Sequence, residues 1–553
     1  MATLQRRIGL LFACCLLALS VAVARTFYLG VVRSSSLRRD AHSEQVSYER
    51  IPAPRGNITD RTGAALAVSE PGYDISADPY LVRDPLQASA TIAQALGTSQ
   101  NEVLAKLSEH TGFVYLAHGV PAAKAKSLLA LSIPGIEGTP VMLRTYPRGA
   151  LASQVLGLVG SEGQGLAGLE YSENAVLQGH TAERRVIRDA IGQPISIATV
   201  QRDRPGDSLA LTLDANIQQR TESVLGAVGS VFHPKDATAI VMEPSTGAIL
   251  AMADWPSIDI GGSVPSLEAL QNRAVSFNYE PGSTFKVVPM AGALQQGLIT
   301  PQTPFEIPEK LEIGERVIHD AEPHPDETLT ASQILAQSSN IGAVKIALLE
   351  GPNSFNGWVH DLGFGSPTGI ELPGEEAGVT PAVSQYSGAS MGNLPFGQGE
   401  LVTPMQVANA YAAIADGGIL RPPHIVAAIN GQPVAARAGR RVLSAGTAAE
   451  LREMLRGPLQ PGGTAAEVSV PPYELAGKTG TAQKVDPATG QYSTTAYVAS
   501  FVGFAPVRDP KLLCAVVVDE PQAGSIYGGQ AAAPAWGEIM SFALPYLGIA
   551  PQE

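Results

Sequence analysis

Thr238-Ala239-Ile240-Val241-Met242 and Ile249-Leu250-Ala251-Met252 are two short apolar runs, separated by Pro244-Ser245-Thr246-Gly247. Runs of this length bounded by turn residues read as strands, and the pair reads as a β-hairpin with a longer turn. A second pair, residues 498–504 and 512–518, surrounds the proline-bounded stretch 506–510 near the other end of the chain. Helical patterns dominate between the two pairs. Strands from both ends of one segment, with helices between them, predict an α+β domain whose sheet joins the segment's termini. Just upstream, the apolar alternation of residues 209–213 meets Asp214, an expected N-cap for a helix carrying Ile217, Val224 and Leu225 on one face. The second domain begins near here and is assigned residues 226–553; residues 40–225 form a separate module. Residues 461–463 and 351–357 read as loops.

At 553 residues the chain is long enough for two to four folded units at ~150 residues each. Hydrophobic residues make up 45% and charged residues 16%, with no long polar tract, which indicates a globular chain. The net charge of −14 argues against a nucleic-acid partner, because neutralising phosphates needs clustered Lys and Arg. Cys14 and Cys15 are adjacent in an apolar run and Cys514 stands alone, so no disulfide framework is suggested.

Arg6 and Arg7 precede an uncharged apolar run over residues 8–24, and a second run, 26–32, follows Arg25. Ala22-Val23-Ala24 has the small-x-small form of a cleavage site, and Cys14 could be read as a lipoprotein site. The apolar character nevertheless continues past Ala24, and residues 8–32 suffice to span ~30 Å of hydrocarbon. An uncleaved anchor is therefore expected, with residues 1–7 as a short cytoplasmic tail and Arg25 snorkelling to the outer headgroups. Arg33, Arg38 and Arg39 weaken the positive-inside argument, so the orientation rests partly on the chemistry found later in the chain.

Within the 40–225 module, Arg55-Gly56-Asn57-Ile58-Thr59-Asp60-Arg61-Thr62-Gly63 sets opposite charges beside glycines, a composition suited to a buried ion-pair corner. Arg144-Thr145-Tyr146-Pro147 and the glycine-rich run 157–168, ending in Leu169-Glu170, are expected to add partners to it. These carboxylates are given a structural rather than a catalytic role.

Three short motifs carry chemistry. In Pro281-Gly282-Ser283-Thr284-Phe285-Lys286, a Pro-Gly turn leads into a helical run over residues 284–298, and one helical turn puts Ser283 and Lys286 on the same face. A serine hydroxyl is a weak nucleophile until a neighbouring base accepts its proton, and a neutral lysine can serve. Alone, this spacing is more often an N-cap serine with an exposed lysine. Pro289 is expected to kink the same helix or loosen its first turns. Ser338-Ser339-Asn340 interrupts the helical run 334–349, and a break there would point Ser338 and Asn340 into a shared cleft. Lys478-Thr479-Gly480-Thr481 reads as an edge strand beside a pocket, with Gly480 leaving room for a peptide alongside. Each motif is weak by itself; all three in this order are specific. His233, His319 and His324 show no metal-ligand spacing and read as ordinary surface or loop histidines.

Ser-x-x-Lys, Ser-Asp-Asn and Lys-Thr-Gly together are the signature of penicillin-binding proteins and class A β-lactamases, and this sequence resembles that superfamily with Ser339 in place of the Asp. The segments 55–63, 144–147, 168–170, 280–286 and Tyr527-Gly528-Gly529 resemble class B penicillin-binding proteins, over roughly residues 40 to 545. Asn272-Arg273-Ala274, Glu280-Pro281-Gly282-Ser283 and residues 397–405 look most like the division-specific FtsI type. The resemblance implies a membrane helix, an elongated α/β pedestal of the dimerisation type and a transpeptidase domain with a central antiparallel sheet flanked by helices.

It also implies a monofunctional serine D-Ala-D-Ala transpeptidase with no cofactor and no metal. Ser283 would attack the penultimate carbonyl of a D-alanyl-D-alanine stem peptide, and an amine from a neighbouring stem would resolve the ester. Lys286 would be the base, its ammonium destabilised by burial and by the positive charge of Lys478. Ser338 would relay a proton to the leaving amine, and Asn340 would orient Lys286 and hold a substrate amide. Lys478 and Thr479 would bind the terminal carboxylate, Gly480 would line the same strand, and the Ser283 and Thr481 N–H groups would form the oxyanion hole, a term worth about 3 kcal/mol. The implied partners are peptidoglycan stem peptides, β-lactams, a SEDS-type glycosyltransferase and divisome proteins. The alternatives are an elongation or sporulation transpeptidase, a β-lactamase, which needs a further base to activate water, and a non-catalytic β-lactam sensor or scaffold.

Overall fold

The computed structural model describes residues 2–35, 46–188, 194–201, 203–262, 264–486 and 488–551; Arg38 and Arg39 lie outside the described residues. A helix spans Ala2–Phe27 and continues as a π-helical turn over Tyr28–Val32. The stretch Leu4–Val32 is long and apolar enough to cross a membrane, and its apolar side chains are exposed.

Two compact units divide the chain: Met1–Pro54, Pro71–Leu143 and Gly179–Gly206 form one, and Arg55–Glu70, Arg144–Gln178 and Asp207–Glu553 form the other. The first contains a three-stranded antiparallel sheet of Val46–Ile51, Ala182–Arg188 and Pro194–Gln201, with Ala182–Arg188 in the middle. It also has a small core of Ile75, Ile92, Val103, Leu116 and Leu128, drawn from two paired strands and the helices Pro85–Leu96, Gln100–Leu107 and Ala122–Leu129.

The second unit is built on a five-stranded antiparallel sheet. Its strands are β1 (Asp236–Glu243), β2 (Ala248–Trp255), β3 (Ala476–Val485), β4 (Tyr492–Ala505) and β5 (Leu512–Asp519), in the spatial order β2-β1-β5-β4-β3. Both expected hairpins form, and β1 pairs with β5, so the sheet joins the ends of the segment. Side chains alternate between two cores: Ala239 and Val241 of β1 and Val516 and Val518 of β5 enter one, while Ile240, Met242, Ala515 and Val517 enter the other. A sheet buried on both faces needs apolar residues at every position, which is why these strands read as continuous runs rather than as alternation.

One face is covered by α1 (Ala215–Phe232) and α7 (Ala533–Tyr546), whose Leu225 and Trp536 join the first core. Asp214 caps α1, its carboxylate accepting the backbone N–H groups of Asn216 and Ile217. The second core holds α2 (Val287–Gln295), α4 (Asn340–Glu350) and α6 (Pro404–Ala415), with α3 (Ala331–Gln337) directly before α4. Residues 351–357 are not a loop: Gly351 breaks the chain at φ 77° and Pro352 opens the helix α5 (Pro352–Asp361). Phe355 and Val359, four apart and both buried, supply the apolar face that outweighs the local turn residues.

The expected ion-pair corner lies in the second unit. Glu170 is fully buried and receives the guanidinium groups of both Arg55 and Arg144, the latter at 2.6 Å. Arg55 also donates to Asn174 Oδ1 at 2.7 Å, and Arg144 to the Gly56 carbonyl at 2.8 Å. Arg61 stays exposed, outside this network.

Candidate active site

The nucleophile turn is a 3₁₀-helix over Gly282–Lys286, which passes into α2 at Val287. In a 3₁₀-helix residues three apart eclipse one another, so Ser283 and Lys286 stack more directly than on the α-helical run expected here. Pro289 consequently falls in the first turn of α2, where its missing N–H costs little, and not in a helix interior. Gly282 sits at φ 55° and donates its N–H to the Gly397 carbonyl at 3.0 Å; a Cβ on Gly397 would lie 2.3 Å from the Gly282 carbonyl oxygen. Tyr411 of α6, fully buried, donates its hydroxyl to the Thr284 carbonyl at 2.8 Å. The turn is thus fixed from two sides.

Lys286 is 1% exposed, and its Nζ is the hub of the site. It stands 3.0 Å from Ser283 Oγ, 3.0 Å from Ser338 Oγ and 2.7 Å from Asn340 Oδ1, and it also donates to the Ser338 carbonyl. The second motif forms the expected break. Ser338 ends α3 in the left-handed region at φ 65°, and Ser339 caps α4 by accepting the Gly342 N–H at 2.9 Å. Asn340, the first residue of α4, donates its amide to the His319 carbonyl at 2.9 Å, which leaves Oδ1 facing Lys286.

The third motif lies on β3, an edge strand of the sheet. Lys478 is fully buried, with Nζ 3.2 Å from the Thr479 carbonyl and 3.3 Å from Thr479 Oγ1. Thr479 Oγ1 lies 2.6 Å from Thr464 Oγ1, and Thr481 Oγ1 accepts the Gly528 N–H at 3.0 Å. A Cβ on Gly480 would stand 2.3 Å from Ser500 Oγ and 3.0 Å from Thr284 Cγ2. The space this glycine clears is therefore taken by the neighbouring strand and the nucleophile turn, a packing requirement distinct from room for a bound peptide.

Burial pushes the Lys286 ammonium down to about 7, the charge of Asp320 opposing part of the shift. The two buried amines repel each other's charge, and the negative Asp320 is a further influence on Lys286 that the sequence did not indicate. Lys478 is lowered well below its ordinary value by burial and then by the Lys286 charge. Spacing along the chain had no means of indicating Asp320, Thr464 or Tyr411. Asp320 is one acid in a polar loop, and the other two reach the site only through contacts across the fold.

Residues 237–541 match the penicillin binding protein transpeptidase domain and residues 50–211 the penicillin-binding protein dimerisation domain. The chain is 33% identical to penicillin-binding protein PbpB of Mycolicibacterium smegmatis, over 96% of this chain and 88% of that one. It is 32% identical to peptidoglycan D,D-transpeptidase FtsI of Escherichia coli, over 99% and 92%. The structure of penicillin-binding protein 3 from Mycobacterium tuberculosis complexed with aztreonam superposes with a TM-score of 0.71 at 28% identity, covering 91% of this chain and 98% of that one. The chain belongs to the class B penicillin-binding proteins, the family of serine transpeptidases.

Proposed function

We propose that this chain is a peptidoglycan D,D-transpeptidase that cross-links stem peptides in septal wall synthesis and is acylated by β-lactams. The observation that carries the reading is the hub: one buried amine within 3.0 Å of the Ser283 hydroxyl, the Ser338 hydroxyl and the Asn340 amide oxygen. In acylation the neutral Lys286 takes the Ser283 proton as Oγ bonds to the penultimate carbonyl carbon. The carbon–nitrogen bond to the last D-alanine then breaks, and the proton passes by way of Ser338 to the departing amine. An acceptor amine next attacks the ester, forms the new amide, and returns its proton through Lys286 to the Ser283 oxygen. Lys478 and Thr479 bind the terminal carboxylate, Gly480 keeps β3 against the nucleophile turn, and the Ser283 and Thr481 N–H groups receive the oxyanion. A β-lactam enters the same first step, but its leaving group stays tethered and blocks the acceptor.

The same reading assigns residues 1–7 to a cytoplasmic tail, 8–32 to a membrane anchor, 40–225 to a pedestal and 226–553 to the transpeptidase domain, with the catalytic domain outside the membrane. The apolar N-terminal helix and the family matches over 50–211 and 237–541 support it. A SEDS-type glycosyltransferase and divisome proteins are the partners it calls for, because neither family match covers glycan polymerisation.

Labelling the full-length protein with a fluorescent penicillin tests the reading. The expected result is an adduct on Ser283 that survives for many minutes and is absent from Ser283→Ala. Labelling that persists in Ser283→Ala, or an adduct released within seconds, overturns it.

A further inference from the structure

Asp320 lies outside all three motifs, yet it touches the second of them. Its Oδ1 accepts the backbone N–H groups of Asn340 at 2.5 Å and Ile341 at 2.9 Å, the first residues of α4. A carboxylate in that place satisfies two of the orphan donors of a helix N-terminus and is favoured by the helix dipole. Asn340, held by this contact at its N–H and by the His319 carbonyl at its side chain, presents Oδ1 to Lys286 at 2.7 Å. On its outer side Asp320 Oδ2 stands 3.2 Å from His324 Nε2, and Nδ1 of that ring is 2.8 Å from the Pro325 carbonyl and 3.4 Å from Glu327.

We propose that Asp320 is a positioning residue for acyl transfer: it anchors the Ser338–Asn340 corner through backbone N–H groups and supplies the negative charge against which Lys286 ionises. The proposal rests on the assignment of Lys286 as base and adds a second control over it. Ser283, Ser338 and Asn340 lie against the Lys286 amine, and the charges coupled to it are those of the Lys478 ammonium and the Asp320 carboxylate. Burial and the Lys478 charge favour the neutral amine and Asp320 favours the ammonium, so their balance sets the pH at which the base becomes available. His324, its ionisation raised first by the Pro325 carbonyl and then by Asp320 and Glu327, faces the same carboxylate.

The test is the pH dependence, from 5 to 9, of the second-order acylation constant with benzylpenicillin, measured on the full-length protein. Asp320→Asn and Asp320→Ser keep an acceptor for the helix N–H groups but remove the charge. In whichever of them remains folded, the midpoint of the acid limb is expected to move down by about half a unit, since the charge that opposes the effect of burial on Lys286 is gone. Asp320→Glu keeps the charge, and its midpoint is expected to match that of the wild type. A neutral variant that loses rate tenfold with an unmoved midpoint would reduce Asp320 to a structural cap and overturn the proposal. Wild-type acylation that fails altogether would refute the transpeptidase reading instead, so the two failures are separable.

Discussion

Ser283 is an ordinary alcohol until something takes its proton, and the group nearest to it is an amine that in water would hold a proton far above neutrality. Burial removes that proton. With the Lys286 ammonium brought down to about 7, a free base is available near neutral pH without a histidine. Protonation of Lys286 on acidification removes the base, so the acylation rate is expected to fall about tenfold per pH unit below the midpoint; stopped-flow labelling with a penicillin from pH 5 to 9 measures it. The folded-state value lies below the unfolded one of 10.5, so the native state gains nothing from this amine above pH 10.5. It becomes progressively less stable as pH falls from there to about 7, and the deficit is constant below. The partnership of Ser283 with Lys286 was legible from three-residue spacing, whereas Asp320 was not, because its influence passes through space across a gap in sequence.

At the scale of elements, the site depends on a 3₁₀ turn lying flat against an edge strand. Two glycines make that approach possible: Gly397, which lets the Gly282 backbone close in, and Gly480, which lets β3 meet both Thr284 and Ser500. Gly480→Ala is expected to cost about 1–3 kcal/mol in stability through overpacking and to slow acylation at least tenfold, because the turn carrying Ser283 must shift. Denaturant melts and acylation kinetics read the two effects. Since the nearest obstacle is the Ser500 hydroxyl, adding Ser500→Ala to Gly480→Ala is expected to recover part of both losses, a coupling that a double-mutant cycle measures. Strand and helix types were legible where apolar runs were long. The 3₁₀ start of the nucleophile segment and the helix at Pro352–Asp361 were not, because in both places tertiary packing overrides the local preference of Pro and Gly.

On the scale of the molecule, the second unit gathers three separated stretches of chain, and the buried Glu170 ties two of them by gripping Arg55 and Arg144. Removing one member of a buried ion network leaves uncompensated charge. Glu170→Gln is accordingly expected to cost about 3–5 kcal/mol, seen as a lower midpoint in urea, with a smaller loss in Arg144→Met/Glu170→Leu, which removes one cation together with the anion. The sequence indicated that these charges would meet in a structural corner, because Arg, Gly and Glu recur there without a nucleophile. Which cation takes part is a matter of burial: the side chains of Arg55 and Arg144 are enclosed, and Arg61 is left in solvent.

By itself, the sequence determined the elements whose cause is local. These are the hairpins from apolar runs, the cap at Asp214, the break at Ser338, the apolar N-terminal helix, and a family membership written in three short motifs. Only the tertiary structure decided the value at which Lys286 titrates, the charge that opposes its shift, and the use to which Gly480 is put. Spacing encodes which side chains share a turn or a face, but desolvation and Coulomb interaction depend on what packs around a group in three dimensions, and that neighbourhood is assembled from separate stretches of the chain, among them Asp320 and Lys478 around Lys286.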